Sequence, residues 1–185
     1  MKLGIIIGSI RDGRKGATVA RWVADNAAGI EGADFEVIDL KSYDVPLLTS
    51  ATVPAAADRD YDSPQVTAWS RAIDACDGFV FVTPEYNHGV PGAFKNAVDV
   101  LGPEWTGKTV GFVSYGADGG VRAVEQWRQI LVNFQMIDVR SAVALSVFTE
   151  FGEDGLQLQD RRSEEIKGML EQLVELTRRV SRVNA

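Results

Sequence analysis

The sequence predicts an α/β fold with three layers, a five-stranded parallel sheet between helices, and two observations lead there. Short β-rich runs alternate strictly with segments of helical pattern. Two of those runs, Phe79 to Val82 and Thr109 to Val113, are apolar nearly throughout, as strands covered on both faces are. Strict alternation in turn means a parallel sheet joined by right-handed crossovers.

Each element has its own signal. Lys2 to Ile7 reads as the first strand, closed by Gly8, and a helix is expected near 17–28. Phe35 to Asp39 reads as the second strand. Residues 43–64 are irregular, with Pro46, Pro54, Pro64 and the run Ala55-Ala56-Ala57. Loops this long are often lids or rims; a surface excursion packed by Leu47 and Leu48 fits as well. Helices are expected near 65–76, 92–101 and 120–134, around the strands at 79–82, 109–113 and 139–142. At the end, Ile166, Leu170, Leu173, Val174 and Leu176 share one helical face. Five strands suit the doubly wound, flavodoxin-like order 2-1-3-4-5, and 185 residues suit one domain.

Composition removes several function classes. A net charge of −7 argues against nucleic acid or an anionic membrane as a main partner, since both need a basic face. One cysteine, Cys76, excludes an internal disulfide, and one histidine, His88, leaves too few ligands for a zinc or non-haem iron site. The apolar stretch Leu3 to Ile7 is too short for a signal peptide or a membrane span, so a cytoplasmic location is expected.

Two loops carry chemistry. After the first strand comes Gly8-Ser9-Ile10-Arg11-Asp12-Gly13-Arg14-Lys15-Gly16, with three cations just before a helix. Open amides, the helix dipole and the Arg11 fork make this an anion site. The spacing nearly meets the nucleotide-binding P-loop pattern, but Lys15 stands where a magnesium-binding hydroxyl belongs. A phosphomonoester held without magnesium fits better. After the third strand, Thr83-Pro84-Glu85-Tyr86-Asn87-His88-Gly89 forms a sharply turned loop with an aromatic ring and amides. It lies at the carboxyl end of a strand, where open α/β sheets bind ligands. This composition suits a flat, hydrogen-bonding ligand better than an ion.

Gly8-Ser9-x-Arg11, Pro84-Glu85-Tyr86-Asn87, and Ser114-Tyr115-Gly116 with Gly119-Gly120 resemble the NADPH-dependent FMN reductase family, which includes quinone, chromate and azo-dye reductases. Leu40 with Pro46-Leu47-Leu48, Trp69, and Lys95-Asn96-Ala97 with Asp99 extend the resemblance over roughly 1–150. It implies FMN as cofactor and NADPH or NADH as co-substrate. Ser9, Arg11 and the amides before the helix would hold the phosphate. Pro84, Glu85, Tyr86 and Asn87 would border the ring and ribityl chain. Ser114, Tyr115 and Gly116 would line the other flavin edge, with Gly119 and Gly120 admitting close backbone approach. Gly13-Arg14-Lys15-Gly16 replaces the serine and asparagine common in the family, which leaves Arg14, Lys15 and Gly16 as candidate phosphate contacts. The resemblance also implies pairing through the helix after the Pro-Glu-Tyr-Asn loop, as a homodimer or homotetramer.

Flavin chemistry explains why no acid–base pair stands out and no catalytic side chain is assigned: the protein binds, orients and tunes. Nicotinamide and then a small acceptor (quinone, flavin, azo compound or metal oxyanion) would use the same space, giving ping-pong kinetics. The alternative is a flavodoxin-type carrier without nicotinamide turnover. Among single residues, His88 reads as a supporting or interface residue before a proton donor, and Cys76 as a packed helical residue before a redox thiol. Trp105 and Tyr115 are candidates for the pocket wall; Trp22, Trp69 and Trp127 for core or interface. Glu85 is read as a salt bridge or a contact across a dimer. Arg122 and Arg128 are read as inter-subunit partners of such carboxylates or as solvated.

Overall fold

The computed structural model describes residues 1–153 and 155–183. Its strands are β1 (Lys2–Ile7), β2 (Asp34–Asp39), β3 (Gly78–Pro84), β4 (Thr109–Gly116) and β5 (Ile137–Ser146), in the order β2-β1-β3-β4-β5. Every pairing in this sheet is parallel. The helices are α1 (Gly16–Ala27), α2 (Pro64–Asp74), α3 (Gly92–Asp99), α4 (Val121–Leu131) and α5 (Arg161–Val183). The expected order is the one found. A small antiparallel pair, β6 (Phe151–Gly152) and β7 (Gly155–Leu156), follows β5 and was not foreseen, because two-residue strands leave no periodic signal.

All residues of β3 and β4 are buried, as their apolar runs required. The two faces of the sheet differ. One packs against α2, α3 and α4 through aromatic side chains: Trp69, Trp105, Trp127, Phe81, Phe94 and Phe112 are fully buried. The other packs against α1 and α5 through aliphatic ones such as Ile5, Val19, Val80, Val113 and Leu170. Trp105 therefore belongs to the core, its indole N–H donating to the Val98 carbonyl at 3.1 Å, and is no pocket wall. Trp69 and Trp127 are core as expected, and Trp22 packs half-buried beside α1's apolar stripe.

Several boundaries differ for physical reasons. α2 begins at Pro64, with Ser63 capping the Val66 amide, and ends at Asp74. Cys76 consequently lies past the helix; it is buried, and burial pushes its thiol up to about 11. β5 reaches Ser146, four residues further than expected, because its edge position leaves an alternating burial pattern and no continuous apolar run. The irregular segment is pinned at both ends. The Asn96 side chain donates to the Pro46 carbonyl and accepts from the Leu48 amide. The fully buried Glu104 carboxylate accepts from the Tyr61 hydroxyl at 2.7 Å, the Ser70 hydroxyl at 2.6 Å and the Gly102 amide at 3.1 Å.

Candidate functional site

Three loops leave the carboxyl edge of the sheet side by side, because β1, β3 and β4 are neighbours. They enclose a cleft of about 350 Å³ lined by Ser9, Arg11, Gly13, Arg14, Lys15, Pro84, Glu85, Tyr86, Tyr115, Gly116, Ala117 and Val147. A second cavity, about 180 Å³, is lined by segment 46–66 and Val100 and shares no residue with this cleft. Of these two, only the cleft gathers cations and open amides.

In the loop after β1, charge is sorted by pairing. Arg14 grips the Asp39 carboxylate with both guanidinium nitrogens and donates to the Ser9 carbonyl at 2.8 Å. This ties the loop to the end of β2; Arg14 builds the cradle and has little left to offer a ligand. Asp12 is engaged by Lys41. Arg11 and Lys15 form no salt bridge among the described residues. Arg11 lies over the Tyr86 ring at 5.6 Å and Lys15 over the Phe151 ring at 4.8 Å. No side chain caps α1 and its first turn carries no acid, so its first amides are open beside two cations without an acidic partner among the described residues.

The loop after β3 is held differently. Register places Pro84 beside Tyr115, and the Glu85 amide continues the ladder to the Tyr115 carbonyl at 3.0 Å. Tyr86 and Gly89 exchange two backbone hydrogen bonds at 3.0 Å, with Asn87 (φ 49°) and His88 (φ 66°) between them. Two central residues at positive φ are what a type I′ turn requires, and asparagine tolerates it best. Both side chains are exposed. The Glu85 carboxylate, 5% exposed, accepts from the Arg122 amide at 3.0 Å and from its Nε at 2.7 Å. Arg122 also meets Asp118, and these two hydrogen-bonded carboxylates raise its pKa. Arg128 pairs with Asp138 and Glu125. The expected inter-subunit partners are thus bound within the chain.

In the third loop, Ser114 is fully buried and donates to the Gly119 carbonyl at 2.7 Å. Gly119 and Gly120, both at positive φ, pack against Ala144 and the β4 backbone and form the tight entry to α4. These three shape the loop from beneath; Tyr115 and Gly116 reach the cleft. Ser9, which is buried, hydrogen-bonds the Tyr86 hydroxyl at 2.7 Å. Asp39, Ala117, Val147 and Phe151 were not singled out from sequence. Asp39, the last residue of its strand, was the one a charge count could have offered as a partner for Arg14.

A profile of the NADPH-dependent FMN reductase family matches residues 1–150, more than half of the chain. The chain belongs to that family. An NAD(P)H-dependent FMN reductase of Saccharomyces cerevisiae is 35% identical, the match covering 96% of this chain and 99% of the relative. A quinone reductase of Escherichia coli is 37% identical over 135 residues, 69% of this chain and 67% of the relative. The chain spans between 64% and 99% of the length of the first curated relatives it matches. Among solved structures, an NAD(P)H:(acceptor) flavoenzyme of Paracoccus denitrificans superposes with a TM-score of 0.74 at 19% identity, covering 96% and 97% of the two chains; this likeness concerns the fold. Membership of the FMN reductase family makes the chain an oxidoreductase whose cofactor is FMN and whose co-substrate is NAD(P)H. The cleft fits such a cofactor: a phosphate needs an uncapped helix start with free cations, and both are present. No described helix is long and apolar enough to cross a membrane.

Proposed function

We propose that this FMN reductase binds its flavin in the three-loop cleft and uses one site in turn for NAD(P)H and a small planar acceptor such as a quinone or a second flavin. The observation that carries the reading is the charge sorting in the first loop: Arg14 is neutralised by Asp39, while Arg11 and Lys15 have no acidic partner among the described residues and stand beside an uncapped helix. The family's activity and the quinone reductase among the relatives support the substrate class.

Each of the chain's own groups then has a task. Ser9, Arg11, Lys15 and the amides at Gly16 hold the phosphate, and Arg14 keeps their loop in shape. Pro84, Tyr86 and Asn87 set the wall for the ring through the backbone turn, with Glu85 locking that turn to α4. Gly116 leaves the opposite wall open to close approach, and Ser114, Gly119 and Gly120 support it. Bound flavin supplies the redox chemistry, storing the two electrons of the nicotinamide for the acceptor, which no side chain here provides. Because both substrates need the same open flavin face, one leaves before the other enters, and the kinetics are ping-pong.

The whole chain acts as one domain. Assembly into a homodimer or homotetramer is part of this reading and rests on the family resemblance, and a cytoplasmic setting suits an NAD(P)H-dependent enzyme. The test is anaerobic addition of NADPH to the FMN-loaded protein. The expected result is loss of the visible flavin absorbance within seconds and its return on adding a quinone. A flavin that stays oxidised marks a carrier; a chain that gains no flavin spectrum overturns the proposal.

A further inference from the structure

Tyr115 carries an atom that packing does not explain. Side chains alternate along β4, so Val113 and Tyr115 face α1 and α5 while Phe112 and Ser114 face the aromatic core. Tyr115 is 6% exposed, and its ring lies 6.0 Å from that of Phe151. Phenylalanine would fill this position equally well. The hydroxyl is buried and has no hydrogen-bond partner, the only such side-chain atom among the described residues. An orphaned buried hydroxyl costs about 1–3 kcal/mol, so its retention requires an account.

Its location supplies one. The phenol oxygen lies 2.7 Å from where a Cβ on Gly16 would stand, at the first residue of α1. The Ser9 hydroxyl and the Gly16 amide lie close enough to oppose the rise that burial imposes on its pKa, but neither has hydrogen-bond geometry toward it. Ser9 is itself spoken for by Tyr86. The uncapped helix start, the Ser9–Tyr86 pair and the free phenol thus converge from β1, β3 and β4 on one spot. Glycine at 16 keeps that spot clear.

We propose that the Tyr115 phenol is a phosphate ligand, donating its O–H to the phosphomonoester of the flavin, and so is a specificity residue for FMN over riboflavin and not a wall for the ring. This rests on the flavin reading above and assigns a residue to the opposite end of the cofactor from the one its sequence position suggested. A hydrogen bond to a charged group corresponds to roughly 10- to 100-fold in affinity.

The test compares FMN and riboflavin dissociation constants, by quenching of flavin fluorescence, in the wild type, Tyr115→Phe and Gly16→Ala. Expected are a rise of at least about tenfold in the FMN constant of Tyr115→Phe, an unchanged riboflavin constant, and a flavin-free Tm that holds or rises because the orphan is gone. Gly16→Ala, whose methyl takes the space at the phenol, should lose FMN affinity in the same selective way. Equal loss for both flavins would place Tyr115 at the ring and overturn the assignment. So would an unchanged FMN constant, or a lowered Tm of the flavin-free variant, which would mean the hydroxyl is already satisfied. Wild-type protein that binds neither flavin would overturn the flavin reading itself, and with it this assignment.

Discussion

The loops after β1 and β3 meet in one cleft but treat charge in opposite ways. In the loop after β3, the single carboxylate, Glu85, is buried and answered by Arg122 alone, through its guanidinium and its own backbone amide at the start of α4. In the loop after β1, Arg11 and Lys15 lie over aromatic faces and meet no carboxylate among the described residues. A fold gains nothing by holding two cations unpaired next to the positive end of a helix, whereas a site for an anion does. The difference teaches which loop is scaffold and which is ligand surface. Composition alone would suggest the reverse, since the Pro-Glu-Tyr-Asn loop is the more distinctive sequence.

That contrast can be broken by substitution. Arg11→Ala should raise the FMN dissociation constant 10- to 100-fold, as loss of a charge-assisted hydrogen bond does, while leaving riboflavin affinity and Tm alone. An unchanged FMN constant in a titration would remove Arg11 from the site. Glu85→Ala should do the opposite: it strips the helix start and Arg122 of their partner, costing on the order of 1.5 kcal/mol in a denaturant titration. Its effect on FMN and riboflavin should be equal, because it loosens a turn and removes no phosphate contact. Lys15→Gln is expected to be milder, about threefold in FMN affinity, and to shrink as salt rises.

Cys76 serves as a control remote from both loops, next to the amino end of β3. Burial raises its pKa from 9.0 to about 11, so between those values the native state keeps a proton that the unfolded chain releases. Stability should therefore fall as pH rises through that window. Below it, a thiol reagent should label the protein only as fast as it unfolds; rapid native labelling would contradict the buried assignment.

Much of this was legible in the sequence, and the limits have physical causes. The continuous apolar runs of β3 and β4 announced buried parallel strands, and glycine-rich ends announced loops at one edge. The cationic loop was recognisable as an anion site from local composition. Which of its cations are free was not, because Arg14 finds Asp39 only through the parallel register that sets Ile7 beside Asp39. Glu85 and Arg122 lie 37 residues apart and meet for the same reason, through the adjacency of β3 and β4. Trp105 read as a pocket wall because its position after α3 said nothing of the fully buried cluster it joins.

The most direct test of the division between scaffold and ligand surface is the ratio of riboflavin to FMN dissociation constants in the wild type and in an Arg11→Ala/Lys15→Gln double variant. The expected result is a ratio well above one in the wild type that falls by more than about 30-fold in the double variant through loss of FMN affinity alone. A ratio unchanged by removing both cations would contradict the account.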